Sequence, residues 1–271
     1  MARSIADKVI IVTGASSGIG RATALALARE RARLVLVARR QNLLASLEEE
    51  VRRAGGTAVC MPLDLRQRDA VAMMIRSAYE RFGRIDVLIN NAGFGYWGTV
   101  EDTPAPVVRE IFDLNFEAPL VAMQLVIPIM KTQGCGHIIN VSSVVGRRGL
   151  PLSGIYCATK FALQGITESL RLEVKDWGID VSIVNPASTL SEFGEHVRFG
   201  KVEARFKATG YVQPAEEVAA AIVKCIKRPR IEIYPYKRSR LLAWASVISP
   251  GITDRVLYKY LRDRIRVARG E

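Results

Sequence analysis

The sequence predicts an α/β fold in which helices cover both faces of a parallel sheet, and three observations carry that expectation. The β-branched run at 9–12 (VIIV) has the all-apolar character of a strand buried on both faces. A glycine-rich turn, TGASSGIG at 13–20, follows at once and opens a segment rich in strong helix formers, RATALALARE at 21–30. A second apolar run at 34–38 (LVLVA) completes a strand–helix–strand unit of the doubly wound kind.

Each element of that unit has a chemical reading. Gly14, Gly18 and Gly20 permit a tight turn and let backbone N–H groups approach a pyrophosphate, while the helix opening near Ile19 aims its positive end at the same anion. Ser16 and Ser17 lie in that turn. The spacing is Gly-x-x-x-Gly-x-Gly, so the general dinucleotide fingerprint applies by shared mechanism only, and a plain glycine loop is the alternative for this segment alone. The end of the second strand selects the cofactor. An acidic residue there would accept hydrogen bonds from the ribose 2′-hydroxyl of NAD, but the strand ends in Ala38, Arg39 and Arg40. Guanidinium groups favour a phosphate, which predicts NADP(H) in preference to NAD(H), with Arg39 the first contact and Arg40 the second. The alternative for Arg40 is a solvated charge at a helix start.

Further along, Asp64 sits in MPLDL (61–65), an apolar strand DVLIN (86–90) runs into NNAG (90–93), and a strand HIINVS (137–142) leads to Ser143. Tyr156 and Lys160 follow in YCATK. On a helix, residues four apart share a face, so the Lys160 ammonium can sit beside the Tyr156 phenol and stabilise its ionised form. A free tyrosine titrates near about pH 10, and acid–base work is most efficient when the pKa lies near the working pH. Many helices carry Tyr and Lys at this spacing by chance; the neighbouring motifs make the pair significant.

These motifs, in this order, resemble the short-chain dehydrogenase/reductase family over about residues 5–235. The resemblance implies a Rossmann-like fold with a seven-stranded parallel sheet, a homodimer or homotetramer, and hydride transfer between nicotinamide and an alcohol or carbonyl. It implies that Ser143 holds the substrate oxygen, Tyr156 gives or takes the hydroxyl proton, Lys160 lowers the tyrosine pKa and binds the nicotinamide ribose, and Asn115 holds a water linking the lysine to solvent. Ser142 is expected to point to the other side of its strand. Asp64 and Leu65 are expected near the adenine, with a helix N-cap for the segment from Arg66 as the alternative for Asp64. Asn90 is expected to brace the sheet, and Asn91, Ala92 and Gly93 to line the cofactor, as are Pro186, Ala187 and Ser191. The family commonly has glycine where Ala187 stands and threonine where Ser191 stands; alanine tolerates fewer backbone conformations.

The substrate pocket would lie between the loop 144–155 and a lid at about 187–212. Phe94, Trp97, Val145 and Phe193 are the expected contacts, with Tyr96, Phe199 and Phe206 as further apolar walls. That predicts a lipophilic carbonyl or secondary alcohol. The alternatives are a double-bond reductase or epimerase on the same fold, a dinucleotide-sensing protein without turnover, for which Ala187 is the support, and a membrane-surface scaffold.

At 271 residues the chain fits one large α/β domain, assigned to 1–235, with a basic extension at 236–271 expected to pack on it. Four scattered cysteines (60, 135, 157 and 225) and two histidines, His137 and His196, offer neither metal-ligand spacing nor a Ser-His-Asp triad, so no metal is expected. His137 is expected to be structural; His196 falls in the lid. The start lacks a signal-peptide pattern and no stretch has 18 consecutive apolar residues, which predicts a cytoplasmic protein, soluble or peripheral to a membrane. The net charge is +12, and residues 224–271 hold 13 Lys/Arg against 4 Asp/Glu. Arg255, Lys259, Arg262 and Arg266 fall on one helix face and Leu257, Leu261 and Ile265 on another, just after an apolar stretch at 241–250. A helix packed on the domain or a partner subunit is the first reading and contact with an anionic membrane the second. Nucleic acid is not expected, since no recognition module accompanies the charge.

Overall fold

The structure, a computed structural model, describes residues 2–194, 197–200 and 211–269. Strands and helices alternate from the start: β1 (Val9–Thr13), α1 (Gly18–Arg29), β2 (Arg33–Ala38), α2 (Gln41–Arg53), β3 (Thr57–Pro62), α3 (Arg68–Phe82) and β4 (Val87–Asn90). A two-residue strand β5 (Tyr96–Trp97) precedes α4 (Ala105–Phe112) and α5 (Ala118–Gln133), which are joined by a π-helical turn at Asp113–Glu117. Then come β6 (Gly136–Val141), α6 (Gly154–Glu173) and β7 (Ile179–Val184). Short strands β8 (Thr189–Leu190), β9 (Arg198–Phe199) and β10 (Gln213–Pro214) lie in the lid region, followed by α7 (Ala215–Lys227), β11 (Glu232–Ile233), α8 (Arg238–Ile248) and α9 (Pro250–Arg269).

Seven strands form one sheet in the order β11-β7-β6-β4-β1-β2-β3, and every neighbouring pair is parallel. The predicted Rossmann-like, seven-stranded parallel architecture is therefore present. Because successive side chains leave a strand on opposite sides, the sheet feeds two cores. Ile10, Val12, Leu34 and Leu36 pack under α1, α2 and α7, whereas Ile11, Val35, Val37 and Leu88 pack under α3, α5 and α6. The continuous apolar runs in the sequence arise from this two-sided burial. By length and hydropathy the helical run 105–133 would suffice to cross a membrane, but Val121, Ala122, Val126 and Met130 of α5 belong to the second core.

Strand order reverses between β1 and β4, where successive connections leave in opposite directions and open a crevice at the carboxyl ends. Asn90 of β4 donates to Asn140 Oδ1 of β6 at 2.8 Å, and Asn140 donates to Thr167 Oγ1 of α6 at 2.8 Å, a buried polar brace between sheet and helix. The expected helix start at Arg66 falls at Arg68 instead, with Gln67 in the N-cap position.

His137 is buried between β6 and β7, its Nε2 2.8 Å from Ser182 Oγ, and Cys225 of α7 donates to the same hydroxyl at 3.4 Å. Burial pushes the imidazole down to about 4. Above the ordinary histidine value of about 6.5 it is neutral whether folded or unfolded; as pH falls from there toward 4, only the unfolded chain takes up the proton. Stability should fall through that window by up to roughly 1.4 kcal/mol per pH unit. Urea midpoints measured across it should show a shallower slope for His137→Gln; identical slopes would refute this assignment.

Candidate active site

The crevice is built first from what glycine omits. Gly14 (φ +65°) and Gly18 (φ +52°) adopt left-handed backbone, so the turn after β1 can reverse tightly. A Cβ on Gly14 would come within 2.8 Å of Ala92 Cα, and one on Gly20 would overlap the Gly14 carbonyl and lie 2.7 Å from Asn91 Nδ2. The turn therefore lies directly on the segment that follows β4. Thr13 fastens the two: its hydroxyl donates to Ile89 O at 3.2 Å and accepts from the Asn91 and Ala92 amides at 2.9 and 3.0 Å. Asn91 Nδ2 returns a bond to Thr13 O at 2.9 Å. The start of α1 faces this cradle with its free N–H groups, a suitable seat for phosphate oxygens.

The two arginines after β2 separate. Arg39 is exposed, while Arg40 occupies the N-cap position of α2 and folds over the glycine turn. Its Nη2 donates to Ser16 Oγ at 3.1 Å and Ser17 Oγ at 2.8 Å, and its Nη1 pairs with Glu192 of the lid at 2.8 Å. The expected ranking of Arg39 before Arg40 thus meets an arrangement in which Arg40 is the residue gathered into the cradle. Ser191 closes the same corner, since a Cβ on Gly18 would stand 2.8 Å from its Cβ. Asp64 is held by Arg66, which donates to it through Nε at 3.0 Å and through its backbone N–H at 3.1 Å. The Arg66 guanidinium keeps the Asp64 carboxyl below the usual range, against the opposing effect of burial. Its backbone bond caps a turn before α3, not the helix. Arg66 also pairs with Glu110 of α4, which pairs with Arg198 of the lid at 2.7 Å. Leu65 is buried beside Asp64.

At the ends of β4 and β6 the second cluster assembles. Asn115 lies in the π-helical turn, whose extra residue redirects its side chain, as such bulges do at functional sites. It receives the Phe94 amide at 3.0 Å and donates to Phe94 O at 2.9 Å and Thr159 Oγ1 at 3.2 Å. Gly93 must stay bare beneath it, because a Cβ would meet Asn115 Oδ1 at 2.9 Å. Tyr156 and Lys160 share one face of α6, the ammonium 5.7 Å from the phenol ring centroid. Lys160 Nζ donates to Val141 O at 3.0 Å. Ser143 lies near enough to the Tyr156 phenol to favour its ionised form and accepts the Val145 amide at 3.4 Å, while Ser142 turns away to Lys160 O at 3.3 Å, as expected from strand alternation.

Burial acts on both ionisable groups in the direction that disfavours charge. It pushes Lys160 down to about 8 and pushes the Tyr156 phenol above its ordinary value, with the Ser143 hydrogen bond pulling the other way. The expected lowering of Tyr156 by Lys160 is not seen; desolvation sets the direction, and it is upward.

The lid supplies the apolar wall. Phe193 rests on Tyr156 with ring centroids 5.7 Å apart, and it covers Gly95, where a Cβ would touch the Phe193 ring at 3.1 Å. Trp97 and Phe199 pair through β5 and β9, Arg198 stacks over Phe94 at 5.1 Å, and Val145 borders Ser143. Tyr96, expected as a wall, is instead buried in the domain. His196 and Phe206 lie outside the described residues. Pro186 is buried, and Ala187 is not among the described non-glycine residues with positive φ, which are Asp7, Arg31 and Leu152. Alanine at 187 is thus accommodated without left-handed strain. The bridging roles of Thr13, Thr159, Glu192 and Arg198 escaped the sequence reading, because their partners are distant in the chain.

Comparison with known proteins places this geometry. Residues 8–200 match the short chain dehydrogenase family. The chain is 34% identical over 259 residues to a ketoacyl reductase, HetN, of Nostoc sp., covering 93% of this chain and 89% of that protein. It is similar to the crystal structure of a short chain dehydrogenase/reductase from Burkholderia phymatum in complex with NAD, at a TM-score of 0.83, 26% identity and coverage of 92% and 96%. It is also similar to an alcohol dehydrogenase from the archaeon Thermococcus sibiricus complexed with 5-hydroxy-NADP, at a TM-score of 0.73, 29% identity and coverage of 84% and 95%.

The glycine cradle is directly testable. Gly20→Ala should destabilise the fold by about 1–3 kcal/mol through overpacking and abolish dinucleotide binding, read by thermal melting and fluorescence titration; unchanged binding would refute the close approach.

Proposed function

This chain belongs to the short-chain dehydrogenase/reductase family and is an oxidoreductase using a nicotinamide dinucleotide, and we propose that it transfers hydride between NADP(H) and a lipophilic carbonyl or secondary alcohol. The observation that carries the proposal is the Tyr156–Lys160 pair on one face of α6, with the buried Lys160 ammonium 5.7 Å from the phenol ring and beside Gly93 at the rim of the glycine cradle. The catalytic part is assigned to residues 1–235, the remainder being an extension packed on it, and the working form to a homodimer or homotetramer.

The residues fit the cofactor. The cradle of Gly14, Gly18 and Gly20, which a Cβ would fill, suits the pyrophosphate, with Ser16, Ser17 and Ile19 at its edge. Arg40 is the preferred contact for a 2′-phosphate, with Arg39 at the rim; the Arg40 guanidinium already gathers polar oxygens there and would exchange Glu192 for phosphate. Asp64 and Leu65 would border the adenine, Asn91 to Gly93 the middle of the dinucleotide, and Pro186, Ala187 and Ser191 the nicotinamide. When bound, the dinucleotide supplies or accepts the hydride.

In the reducing direction Ser143 Oγ donates a hydrogen bond to the substrate oxygen, polarising the carbonyl. Tyr156 gives its phenolic proton to that oxygen as the carbon gains hydride, and the phenolate left behind is stabilised by Lys160 in its cationic form. Asn115 acts by fixing the Phe94 and Thr159 backbone and side chain around this group. Phe193, Trp97, Phe94 and Val145 favour an apolar substrate and shield the reacting atoms from water. The ketoacyl reductase and alcohol dehydrogenase relatives support carbonyl–alcohol chemistry. Ordinary backbone at Ala187 is compatible with turnover; a non-catalytic sensor would bind the dinucleotide without turnover, and a double-bond reductase or epimerase would differ in the substrates it accepts.

Fluorescence titration should show tighter binding of NADPH than NADH, and Arg40→Ala should erase that difference while Arg39→Ala leaves most of it; equal affinities in wild type would overturn the assignment. Tyr156→Phe should lower turnover on a carbonyl panel by about 10²–10⁴-fold with cofactor affinity retained. A panel in which only small polar sugars react would sink the lipophilic reading. The reductive rate should decline as pH rises past about 8, where Lys160 gives up the proton it holds below that value.

A further inference from the structure

Helix α8 is built inside out. Its inward residues are Ser239, Ala243 and Ser246, whose hydroxyls are satisfied locally by the carbonyls of Tyr236 at 2.6 Å and Ala243 at 2.7 Å. Its outward residues are Leu241, Trp244, Val247 and Ile248, which are 71%, 56%, 77% and 80% exposed. A helix that packs only through its domain would show the opposite arrangement.

Helix α9 continues the pattern after the turn at Ser249. At 100° per residue its side chains fall into three faces. Thr253, Leu261 and Ala268 are buried, with Leu257 and Ile265 half-buried on the same side. Ile252, Val256, Tyr260 and Val267 form an exposed apolar row, each more than half exposed. Arg255, Lys259, Arg262 and Arg266 form a third, basic row next to it, and Arg255, Lys259 and Arg266 make no ion pair among the described residues. The sequence alone showed the first and third of these faces; the second emerges from the packing.

We propose that the α8–α9 hairpin docks this protein on the surface of an anionic lipid bilayer. Contiguous exposed apolar surface of this kind marks an interaction site. Its chemistry selects the occupant: a row of aliphatic side chains beside a row of cations, with Trp244, Tyr258 and Tyr260 exposed, is the composition of a helix lying in the lipid interface. Residues 237–271 hold nine Lys/Arg against three Asp/Glu, a net +6. A second copy seated on the same face would bring two such cationic rows together, at a cost that an anionic surface turns into a gain. The hairpin is tied to the substrate side of the domain, because α8 packs on the turn Val144–Gly146 and Arg148 pairs with Asp254. Docking would therefore hold the substrate loop close to the lipid. Docking itself is independent of the catalytic reading; only the naming of 144–155 as the substrate loop rests on it.

Purified full-length protein should co-sediment with vesicles of phosphatidylcholine mixed with phosphatidylglycerol, much less with phosphatidylcholine alone, and less in both as salt rises. Arg255→Gln, Lys259→Gln and Arg266→Gln should each weaken partitioning about fivefold. The triple variant Leu241→Ser, Trp244→Ser, Ile248→Ser should lose it, with dinucleotide binding retained in every variant as the sign of an intact fold. Failure of the wild type to bind anionic vesicles, or undiminished binding by the triple serine variant, would overturn the proposal. So would a wild-type oligomer that ignores vesicles and breaks down in the triple variant, which would assign the face to a second copy.

Discussion

Two backbone segments, the turn after β1 and the NNAG stretch after β4, approach each other with no room for a single extra carbon, and the site is organised around that contact. The Thr13 hydroxyl holds the turn against the ends of two peptide groups while Gly14 and Gly20 leave the space between them open. A parallel sheet whose order reverses at β1 and β4 opens a crevice there, but the crevice becomes a binding surface only because its walls are backbone. Exposed N–H groups at a helix start, without Cβ atoms in the way, are what a phosphate requires.

The second cluster depends on desolvation. Lys160 is a buried ammonium that donates to the Val141 carbonyl, and Tyr156 is a phenol on which Phe193 rests. Burial disfavours the charged form of each, so the charges placed around them have a larger effect than they would in water. The π-helical turn at Asn115 serves this cluster by carrying the side chain that bridges the Phe94 backbone and Thr159. Rigid elements thus carry the reacting groups, and the lid contributes apolar cover and two charged clasps, Glu192 to Arg40 and Arg198 to Glu110.

The lid clasps and the hairpin also separate what local pattern can reveal from what it cannot. Strands 9–13, 33–38, 87–90, 136–141 and 179–184 follow from apolar runs that a doubly buried sheet demands. Tyr156 and Lys160 were legible because helical spacing alone brings them to one face. Spacing does not distinguish the adjacent Arg39 and Arg40; the direction of the chain as it enters α2 sends Arg40 over the cradle and leaves Arg39 exposed. Tyr96 looked like a pocket wall by composition and is a core residue by position.

By itself the sequence determined the sheet, its doubly wound arrangement, the glycine cradle and the order of the candidate catalytic groups, because these depend on periodicity, on missing side chains and on short fixed spacings. Only the tertiary structure decided the ionic state of the site and the exposed apolar face of the tail. The pKa of a buried group depends on the solvent that distant elements exclude, which moved Tyr156 opposite to the direction its neighbour implied. Likewise, an apolar residue on a helix is core or surface according to which side the domain covers, and for α8 the domain covers the serines.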